Sequence, residues 1–294
     1  MDLQQLRYVV EVADLGSFTK AAERCFVTQS ALSHQIAALE REIGALLFAR
    51  TSRSVRVTEA GEAFVRQARV ALDAARAAAE DAAAVNGRVV GVLRLGVIPT
   101  VAVVDVPALI AGFRAAHPEC RVELAMGNSD TLIAAVRQGS LDVAMIGLRA
   151  DAAPAGVAHR ELARERLVAV VPAGHRLARR ARIALAELER ETFADFPAGT
   201  SGRAQSDSAF TASGIIRDVA YEVGTAELLV GLVAAGLAVA LLAPGVVHPG
   251  ESRVVQVPVV GGPERIEYVV WPEQAPRQVA RALLEELDGL LEQT

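Results

Sequence analysis

The sequence is first informative for what it lacks. Its 294 residues include only two cysteines, one lysine and 4% aromatic residues. Cys25 and Cys120 lie far apart and in no metal-ligand spacing, so neither a disulfide framework nor a metal site is indicated. Because Lys20 is the only lysine and no Gly-Lys-Ser/Thr step contains it, a Walker phosphate loop is excluded. A lysine Schiff-base enzyme is not expected for the same reason.

Long apolar runs are also missing. Charged residues and glycines interrupt every apolar stretch before it reaches the roughly 18 to 20 residues that a membrane span needs. Asp2 and Glu11 break the apolar region that a signal peptide requires. We therefore expect no membrane partner and a cytoplasmic protein.

The composition is that of a packed globular protein, with 52% hydrophobic and 22% charged residues. The length is about twice that of a usual domain of ~100–150 residues, which indicates two or more units. The net charge is −5, but residues 1–88 hold 11 basic and 11 acidic side chains, so the whole acidic excess lies downstream. Residues 17–58 carry a local positive excess that could face DNA phosphates.

The first 58 residues show the pattern of a helix-turn-helix. Apolar residues at helical spacing predict helices over 3–15, 18–25 and 29–43, with Asp2, Ser17 and Thr28 as N-caps. Only two or three residues separate the second and third helices. The alternating basic stretch TSRSVRVT then predicts a two-stranded wing. Spacing alone leaves a plain three-helix bundle with a solvated charged loop equally open.

Thr58 can cap a long alanine-rich helix that runs from Glu59 to about Val85 and ends at Asn86-Gly87. Beyond it, strands and helices alternate in βαβ order, which predicts parallel strands. The expected strands and helices lie at 89–97, 106–116, 121–126, 131–138, 141–147, 166–171, 187–190, 226–235, 237–242, 267–271 and 277–291. Two α/β lobes joined by two crossings would leave a ligand cleft between them.

Residues 17–61 resemble the LysR-type transcriptional regulators. The shared features are Ala21-Ala22, the Thr28-Gln29-Ser30 helix entry, Ser33, the Ile36…Leu39-Glu40 face, Gly44, the Leu47-Phe48…Arg50 step and Thr58-Glu59-Ala60-Gly61. The sequence departs from the family at Cys25, where Leu is common, at Ser30, where Pro is frequent, and at His34, where Arg is frequent. Residues 117–147 and 226–244 resemble the regulatory domain of the same family more loosely.

The resemblance implies an α+β multidomain fold. A winged helix-turn-helix DNA-binding domain would occupy 1–58 and a linker helix 59–87. This helix would pair with its twofold mate, the alternative being a surface helix of its own domain. A two-lobed α/β effector domain resembling type 2 periplasmic binding proteins would occupy 88–294, with lobe I at about 88–162 and 267–294 and lobe II at about 163–266.

The family resemblance also implies a homodimer or homotetramer that binds an inverted-repeat operator in double-stranded DNA, is associated with the nucleoid and acts with RNA polymerase. Gln29 and Ser30 suit base edges, and Ser33, His34 and Gln35 lie one turn on. Phosphate contacts are expected from the basic wing. The predicted DNA-binding set is Thr28, Gln29, Ser30, Ser33, His34, Gln35, Arg50, Arg53 and Arg56.

For the regulatory domain, the resemblance implies a small-molecule co-inducer and no cofactor. Helix starts attract anions, and Arg149 and Arg203 could pair with a carboxylate, so a weakly acidic metabolite is expected. Residues 199–203 are interpreted as a flexible segment that adds hydroxyls. The predicted effector-binding set is Thr100, Val101, Asn128, Ser129, Thr131, Arg149, Thr200, Ser201, Arg203 and Thr225. Ordinary helix capping is the alternative for each residue taken alone.

The alternative functional classes are a solute-binding receptor and an enzyme that acts on the same small molecule. A receptor should carry an export signal and lack the pattern of the first 60 residues. An enzyme should contain a reactive constellation, and the sequence holds no G-x-S-x-G, H-E-x-x-H or G-x-G-x-x-G motif. A redox switch inside one regulatory domain would need two thiols there, and only Cys120 is present, which leaves an intermolecular disulfide as the alternative.

Overall fold

The computed structural model describes residues 1–50 and 55–292. The chain divides into two compact units. The first is Met1–Arg88 with Gln138–Ser140, and the second is Val89–Arg137 with the residues from Leu141 onward. In the described residues, no helix is both long enough and apolar enough to cross a membrane.

The first unit consists of helices and one hairpin. Its elements are α1 (Leu3–Leu15), α2 (Phe18–Arg24), α3 (Gln29–Ile43), β1 (Phe48–Arg50), β2 (Val55–Val57) and α4 (Glu59–Ala84). Asp2, Ser17, Thr28 and Thr58 cap the four helices through their side chains, as their positions in the sequence predict. The strands β1 and β2 pair antiparallel, which is the arrangement expected of a wing.

The apolar stripes of these helices meet in one core. Val9 and Val12 of α1, Leu32 and Ile36 of α3, and Val65 of α4 are all buried there. Gly61, in the first turn of α4, permits the closest approach. A Cβ at this position would lie 2.1 Å from the Leu47 carbonyl oxygen, so only glycine fits. An ion pair between Arg69 and Asp14 joins α4 to α1 at the surface.

The second unit begins with a five-stranded sheet. Its strands are β3 (Gly91–Val97), β4 (Cys120–Met126), β5 (Val143–Arg149), β6 (Ala158–Arg166) and β13 (Glu264–Trp271), in the order β4-β3-β5-β13-β6. The first three are parallel, as the βαβ order predicts, and β13 is antiparallel to both of its neighbours. Helices α5 (Val106–Ala116) and α9 (Gln278–Leu291) contribute to the core on one face of this sheet, and α6 (Ser129–Arg137) contributes to the core on the other.

The second lobe lies between β6 and β13 in the chain. Its elements are β7 (Val168–Pro172), β8 (Ile183–Ala184), β9 (Thr192–Asp195), α7 (Ser201–Ala212), β10 (Asp218–Glu222), α8 (Ala226–Ala234), β11 (Ala240–Leu242) and β12 (Val254–Val260). Four strands form the sheet β11-β7-β12-β8, and β9 and β10 form a parallel pair. Short 3-10 turns occupy Leu185–Leu188 and Pro244–Val246.

Two features of this lobe differ from the expectation. The segment interpreted as flexible at 199–203 is the start of α7, with Thr200 as its N-cap. The strand β6 extends to Arg166 and β13 begins at Glu264, so the crossings between the lobes lie a few residues inside the limits of 163 and 266 expected for lobe II. Both strand ends are rich in charged residues, and this composition hid them from a search for apolar strands.

Candidate DNA-reading surface and effector cavity

The first turn of α3 presents an uncovered polar edge. Thr28 accepts a hydrogen bond from the Ala31 amide at 3.2 Å, and its hydroxyl lies 3.1 Å from that of Ser30. Thr28, Gln29 and Ser30 are all exposed, while Leu32 and Ile36 on the opposite side are buried. The geometry leaves this edge available to the grooves of a duplex.

The next turn of the helix is more mixed. His34 is exposed, whereas Ser33 is half-buried. The Gln35 side chain is exposed but accepts a hydrogen bond from the Gln5 amide nitrogen at 3.1 Å. Gln5 itself belongs to the capping box of α1, so Gln35 also joins α3 to α1.

The wing is attached to α3 by a buried carboxylate. Glu40 of α3 accepts hydrogen bonds from the backbone amides of Leu47 at 2.7 Å and Phe48 at 3.2 Å. Thr58 reaches the same segment, since its hydroxyl donates to the Leu46 carbonyl at 2.6 Å. The sequence analysis named Glu40 only as part of the Ile36…Leu39-Glu40 face of the family resemblance and gave it no role, because a glutamate on an amphipathic helix resembles a solvated surface residue.

Two of the three wing arginines that were predicted to contact phosphates lie within the described residues. Arg56 is exposed on β2, opposite Ala49. Arg50 ends β1, where its backbone pairs with Val55. Arg53 lies outside the described residues.

A cavity of about 390 Å³ lies between the two lobes of the second unit. Three helix starts line it: Asn128 and Ser129 at α6, Thr200 and Gly202 at α7, and Thr225 before α8. The apolar part of the wall is formed by five side chains, those of Ile98, Pro99, Met126, Phe196 and Pro197. The described side chains that line the cavity carry no charge. This is the mixture of apolar wall and few polar groups that small-molecule sites have.

Half of the predicted effector-binding residues line this cavity. Those that do are Thr100, Asn128, Ser129, Thr200 and Thr225. Those that do not are Val101, Thr131, Arg149, Ser201 and Arg203. Val101 packs into the apolar cores of the first lobe, and Thr131 donates its hydroxyl hydrogen bond to the Asn128 carbonyl.

The two arginines expected to hold a carboxylate are engaged elsewhere. Arg149 lies 3.1 Å from Asp151 in a partly exposed pair. Arg203 turns away from the cavity toward acidic partners, with Nε 3.0 Å from Asp207 and Nη1 2.9 Å from Glu222. Sequence spacing placed both arginines near helix or strand ends. It did not show that the nearby carboxylates of Asp151 and Asp207 would pair with them, or that Glu222 of a distant segment would reach Arg203.

Arg203 belongs to a buried network beneath α7. Arg217 is 3% exposed, donates to Asp195 at 2.7 Å, pairs with Asp207, and stacks on Phe193 and Phe210 with its guanidinium carbon about 5 Å from each ring centre. Burial raises the pKa of Asp195, although Arg217 and Arg203 act in the opposite direction. Burial also opposes ionisation of Asp207, but its hydrogen bonds from the two arginines outweigh it and lower its pKa. The network joins α7 to β9 and β10.

A second buried network lies directly behind Thr100. Arg265 of β13 donates to the Thr100 hydroxyl at 3.0 Å and the Thr100 carbonyl at 2.9 Å, and it pairs with Glu165 and Glu267. Glu267 accepts the Ala102 amide at 3.0 Å. Burial raises the pKa of Glu267; Arg265 lowers it and Glu165 raises it further. Arg265 and Glu267 alternate along β13, and alternating charged residues in a sequence are typical of an exposed edge strand.

Two hydrogen bonds cross from one lobe to the other beside the cavity. The Ser201 hydroxyl of α7 donates to Asp130 of α6 at 2.7 Å. The Gln205 amide of α7 donates to the Gly147 carbonyl of β5 at 3.4 Å, and Ser129 donates to the same carbonyl at 2.8 Å. The start of α7 therefore contacts both the cavity and the opposite lobe.

With this geometry in view, family models match both units. Residues 3–62 match the bacterial regulatory helix-turn-helix protein of the lysR family, and residues 86–291 match the LysR substrate binding domain. The chain belongs to the LysR family. As a member it is a DNA-binding transcriptional regulator with an effector-binding domain, as the sequence analysis predicted.

Individual relatives span nearly the whole LysR-family chain. The uncharacterized regulator YnfL of Escherichia coli is 33% identical, covering 94% of this chain and 95% of YnfL. The E. coli dual regulator OxyR is 30% identical over 98% of this chain and 97% of OxyR. A full-length OxyR variant from Pseudomonas aeruginosa has 28% identity and a TM-score of 0.76, covering 98% of this chain and 94% of that one. CbnR bound to its target DNA has a TM-score of 0.66 at 24% identity, covering 98% and 99%, and shares the fold.

Sequence reasoning missed several lining residues of this regulator. Ile98, Gly147, Phe196 and Gln205 line the cavity, yet none of them follows a pattern that marks a ligand site. The nearest signal was the resemblance over 117–147, which ends at Gly147.

Proposed function

We propose that this LysR-family regulator reads an operator with the first turn of α3 and is controlled by a small molecule held in the cavity between its lobes. The observation that carries the proposal is the convergence of the α6, α7 and α8 starts on one cavity, because they come from both lobes. A ligand that contacts both lobes favours one arrangement of them over another.

The cavity suggests the general chemistry of the ligand. A volume of about 390 Å³ and a wall that includes Ile98, Met126 and Phe196 suit a small metabolite with an apolar body. The helix starts offer backbone amides and positive dipole ends to one polar or weakly acidic group. The N-termini of these helices, and not Arg149 and Arg203, would attract an anionic group, because the two arginines do not line the cavity.

The proposed DNA reader acts as a symmetric dimer or tetramer on an inverted repeat, because one recognition helix binds weakly alone. The long helix α4 would supply the pairing surface: Val70 is exposed on it and Ala-rich turns allow close approach. The effector would change the separation of the paired DNA-binding domains, and with it the DNA bend that RNA polymerase meets. Such a protein would work at the nucleoid in the cytoplasm.

The names of some relatives suggest oxidation of cysteines by hydrogen peroxide as an alternative signal. The Dickeya chrysanthemi relative, a hydrogen peroxide-inducible genes activator, is 31% identical over 85% of this chain and 81% of that protein. In this chain the two cysteines lie in different units, and Cys120 is buried with Sγ 3.2 Å from the Val89 carbonyl. A disulfide within the regulatory domain needs two thiols there. We therefore favour a bound metabolite over a disulfide as the signal.

A cavity-filling variant tests the ligand site. Gly224 lines the cavity, and a Cβ there meets nothing within 4 Å, so Gly224→Leu adds bulk without forcing the backbone. Gly174 has the same open surroundings away from the cavity, which makes Gly174→Leu the matched control. A panel of small carboxylates, amides and alcohols is screened by thermal shift. Compounds that stabilise the wild type and Gly174→Leu should not stabilise Gly224→Leu, and equal stabilisation of Gly224→Leu would place the site elsewhere.

The DNA-reading half is tested separately by selection of duplexes from a randomised pool at stated salt. A recovered inverted repeat supports the proposal, and a binding protein that recovers no sequence contradicts it. Gln29→Ala should relax base preference, whereas Arg56→Ala should weaken all duplexes alike and flatten the salt dependence. The comparisons offer no support for a solute-binding receptor. An enzyme would convert the stabilising compound into a product. We expect instead that the compound is recovered unchanged after incubation with the protein.

A further inference from the structure

The turn between α2 and α3 contains the most exposed large hydrophobic side chain in the described part of the chain. Phe26 is 94% exposed. It stands two residues before Thr28, the cap of the recognition helix. Burial does not account for a phenyl ring in this place, since the ring contributes almost nothing to the core of the unit.

The backbone at Phe26 is also unfavourable for phenylalanine. Its φ is +57°, and within the described residues it is the only residue other than glycine with a positive φ. The Phe26 amide bonds to the Glu23 carbonyl at 3.1 Å, and the Val27 amide bonds to the Ala22 carbonyl at 3.0 Å. This is the Schellman arrangement that ends a helix, in which glycine is the usual residue at the left-handed position.

The same unit shows what glycine does at such a position. Gly16 ends α1 and Gly44 ends α3, both with left-handed φ values. The left-handed backbone at Phe26 therefore lowers the folding equilibrium constant by roughly 5- to 30-fold, and no contact that the ring makes in the described part of the unit offsets this loss. Strained, solvent-exposed residues of this kind point to a function outside the folded chain.

The surroundings of the ring favour DNA over a protein partner. Thr28, Gln29 and Ser30 form the exposed polar edge that follows it, and Lys20 and Arg24 are exposed on the preceding helix. An apolar partner within the major groove is available only from the C5 methyl group of thymine, against which phenylalanine packs in direct readout.

We infer that Phe26 is a further specificity-determining residue, whose ring packs on a thymine methyl group at the edge of each operator half-site. The inference rests on the proposed reading of DNA by α3. The chain accepts a strained turn at Phe26 because the ring adds a base contact that the short polar side chains of the helix entry cannot make.

The experiment uses the full chain and a duplex that it selects from a randomised pool. Each thymine of the half-site is replaced in turn by deoxyuridine, which lacks only the C5 methyl group. At one position per half-site, the replacement should weaken wild-type binding by about 3- to 5-fold, the value expected for one buried methyl group. Phe26→Gly and Phe26→Asn, which suit the left-handed backbone, should bind the thymine duplex more weakly and should show no effect of uridine.

Controls separate the contact from a folding effect. Phe26→Gly removes the strain, so its urea midpoint should equal or exceed that of the wild type while its DNA affinity falls. Phe26→Tyr keeps the ring and should keep the sensitivity to uridine. Equal weakening of the variants on thymine and uridine duplexes would overturn the inference, as would unchanged DNA affinity. Unchanged affinity with lost activation by RNA polymerase would assign the ring to a protein partner instead. If no duplex is selected at all, the proposed DNA reading itself fails.

Discussion

Glu40 offers the sharpest test of how the DNA-binding unit is held together. Glu40→Ala removes a buried acceptor and leaves the amides of Leu47 and Phe48 without it. A hydrogen bond to a charged group contributes about 1.5–3 kcal/mol. Allowing for water that enters the space, we expect a loss of about 3 kcal/mol in the local stability of the wing. Glu40→Gln keeps an acceptor oxygen without the charge and should cost about 1 kcal/mol.

A control on the same helix separates position from charge. Glu42 forms an exposed pair with the N-terminal amine at 2.8 Å, so Glu42→Ala removes the same charge at a surface site. Both variants make the unit less acidic and should bring the same small gain in phosphate attraction. A difference in DNA affinity between them therefore reports the wing alone.

The assay is hydrogen exchange on the full-length protein, because the single tryptophan, Trp271, lies in the second unit and does not report on the first. In Glu40→Ala, exchange over residues 46–50 should accelerate by about a hundredfold, the factor that corresponds to ~3 kcal/mol. DNA affinity should fall in Glu40→Ala and hold in Glu42→Ala. Equal exchange in the two variants would refute the argument that the buried carboxylate anchors the wing.

Three further predictions concern the buried network, the cysteines and the lobe contacts. Arg217→Met leaves the Asp195 carboxylate buried without its main partner and should destabilise the second unit by about 3–5 kcal/mol in urea unfolding followed by tryptophan fluorescence. Since the pKa of Asp195 is already raised and will rise further, the folded state keeps this proton longer than the unfolded chain. The free energy of unfolding of the variant should therefore fall as the pH rises through that pKa. A free energy of unfolding that increases over this pH range would contradict the prediction. Burial and Glu11 raise the pKa of the Cys25 thiol, which keeps the thiol protonated at neutral pH. Brief peroxide treatment at neutral pH should therefore leave the protein mass and the DNA affinity unchanged. A mass loss of about 2 Da, which corresponds to the two hydrogens that disulfide formation removes, would contradict this prediction. Ser201→Ala removes the hydrogen bond to Asp130 and should raise exchange at the starts of α6 and α7 by roughly 2- to 12-fold, and unchanged exchange would show that this contact does not hold the lobes.

The parts of the fold that the sequence predicted are those with strong local signals. The helices of the first unit were readable because apolar residues at helical spacing coincide with side-chain caps such as Thr28 and Thr58. The helix α7 was not, because SGRAQSDSAFTA is polar, contains a glycine and buries mainly Gln205, Ser206 and Phe210. Its stability comes from tertiary contacts, which leave no periodic pattern.

The candidate site divides in the same way. Thr100 and Thr225 were predicted to face the cleft because helix and strand ends can be located from the sequence, and both line the cavity. Arg149 and Arg203 were placed in the cleft because an arginine near such an end looks available. In the fold, Arg149 pairs with Asp151, and Arg203 pairs with Asp207 and Glu222. Arg265 was missed for the opposite reason. A charged residue on a polar strand looks exposed, yet it is 2% exposed behind Thr100.

The close approach at Gly61 has a consequence for signalling. The base of α4 touches the Leu47 carbonyl, and the amide of that same residue is fastened to the recognition helix through Glu40. Leu47 therefore joins the first turn of the long helix to the recognition helix. A change in the angle at which two such long helices cross would be passed through this residue to the reading edges.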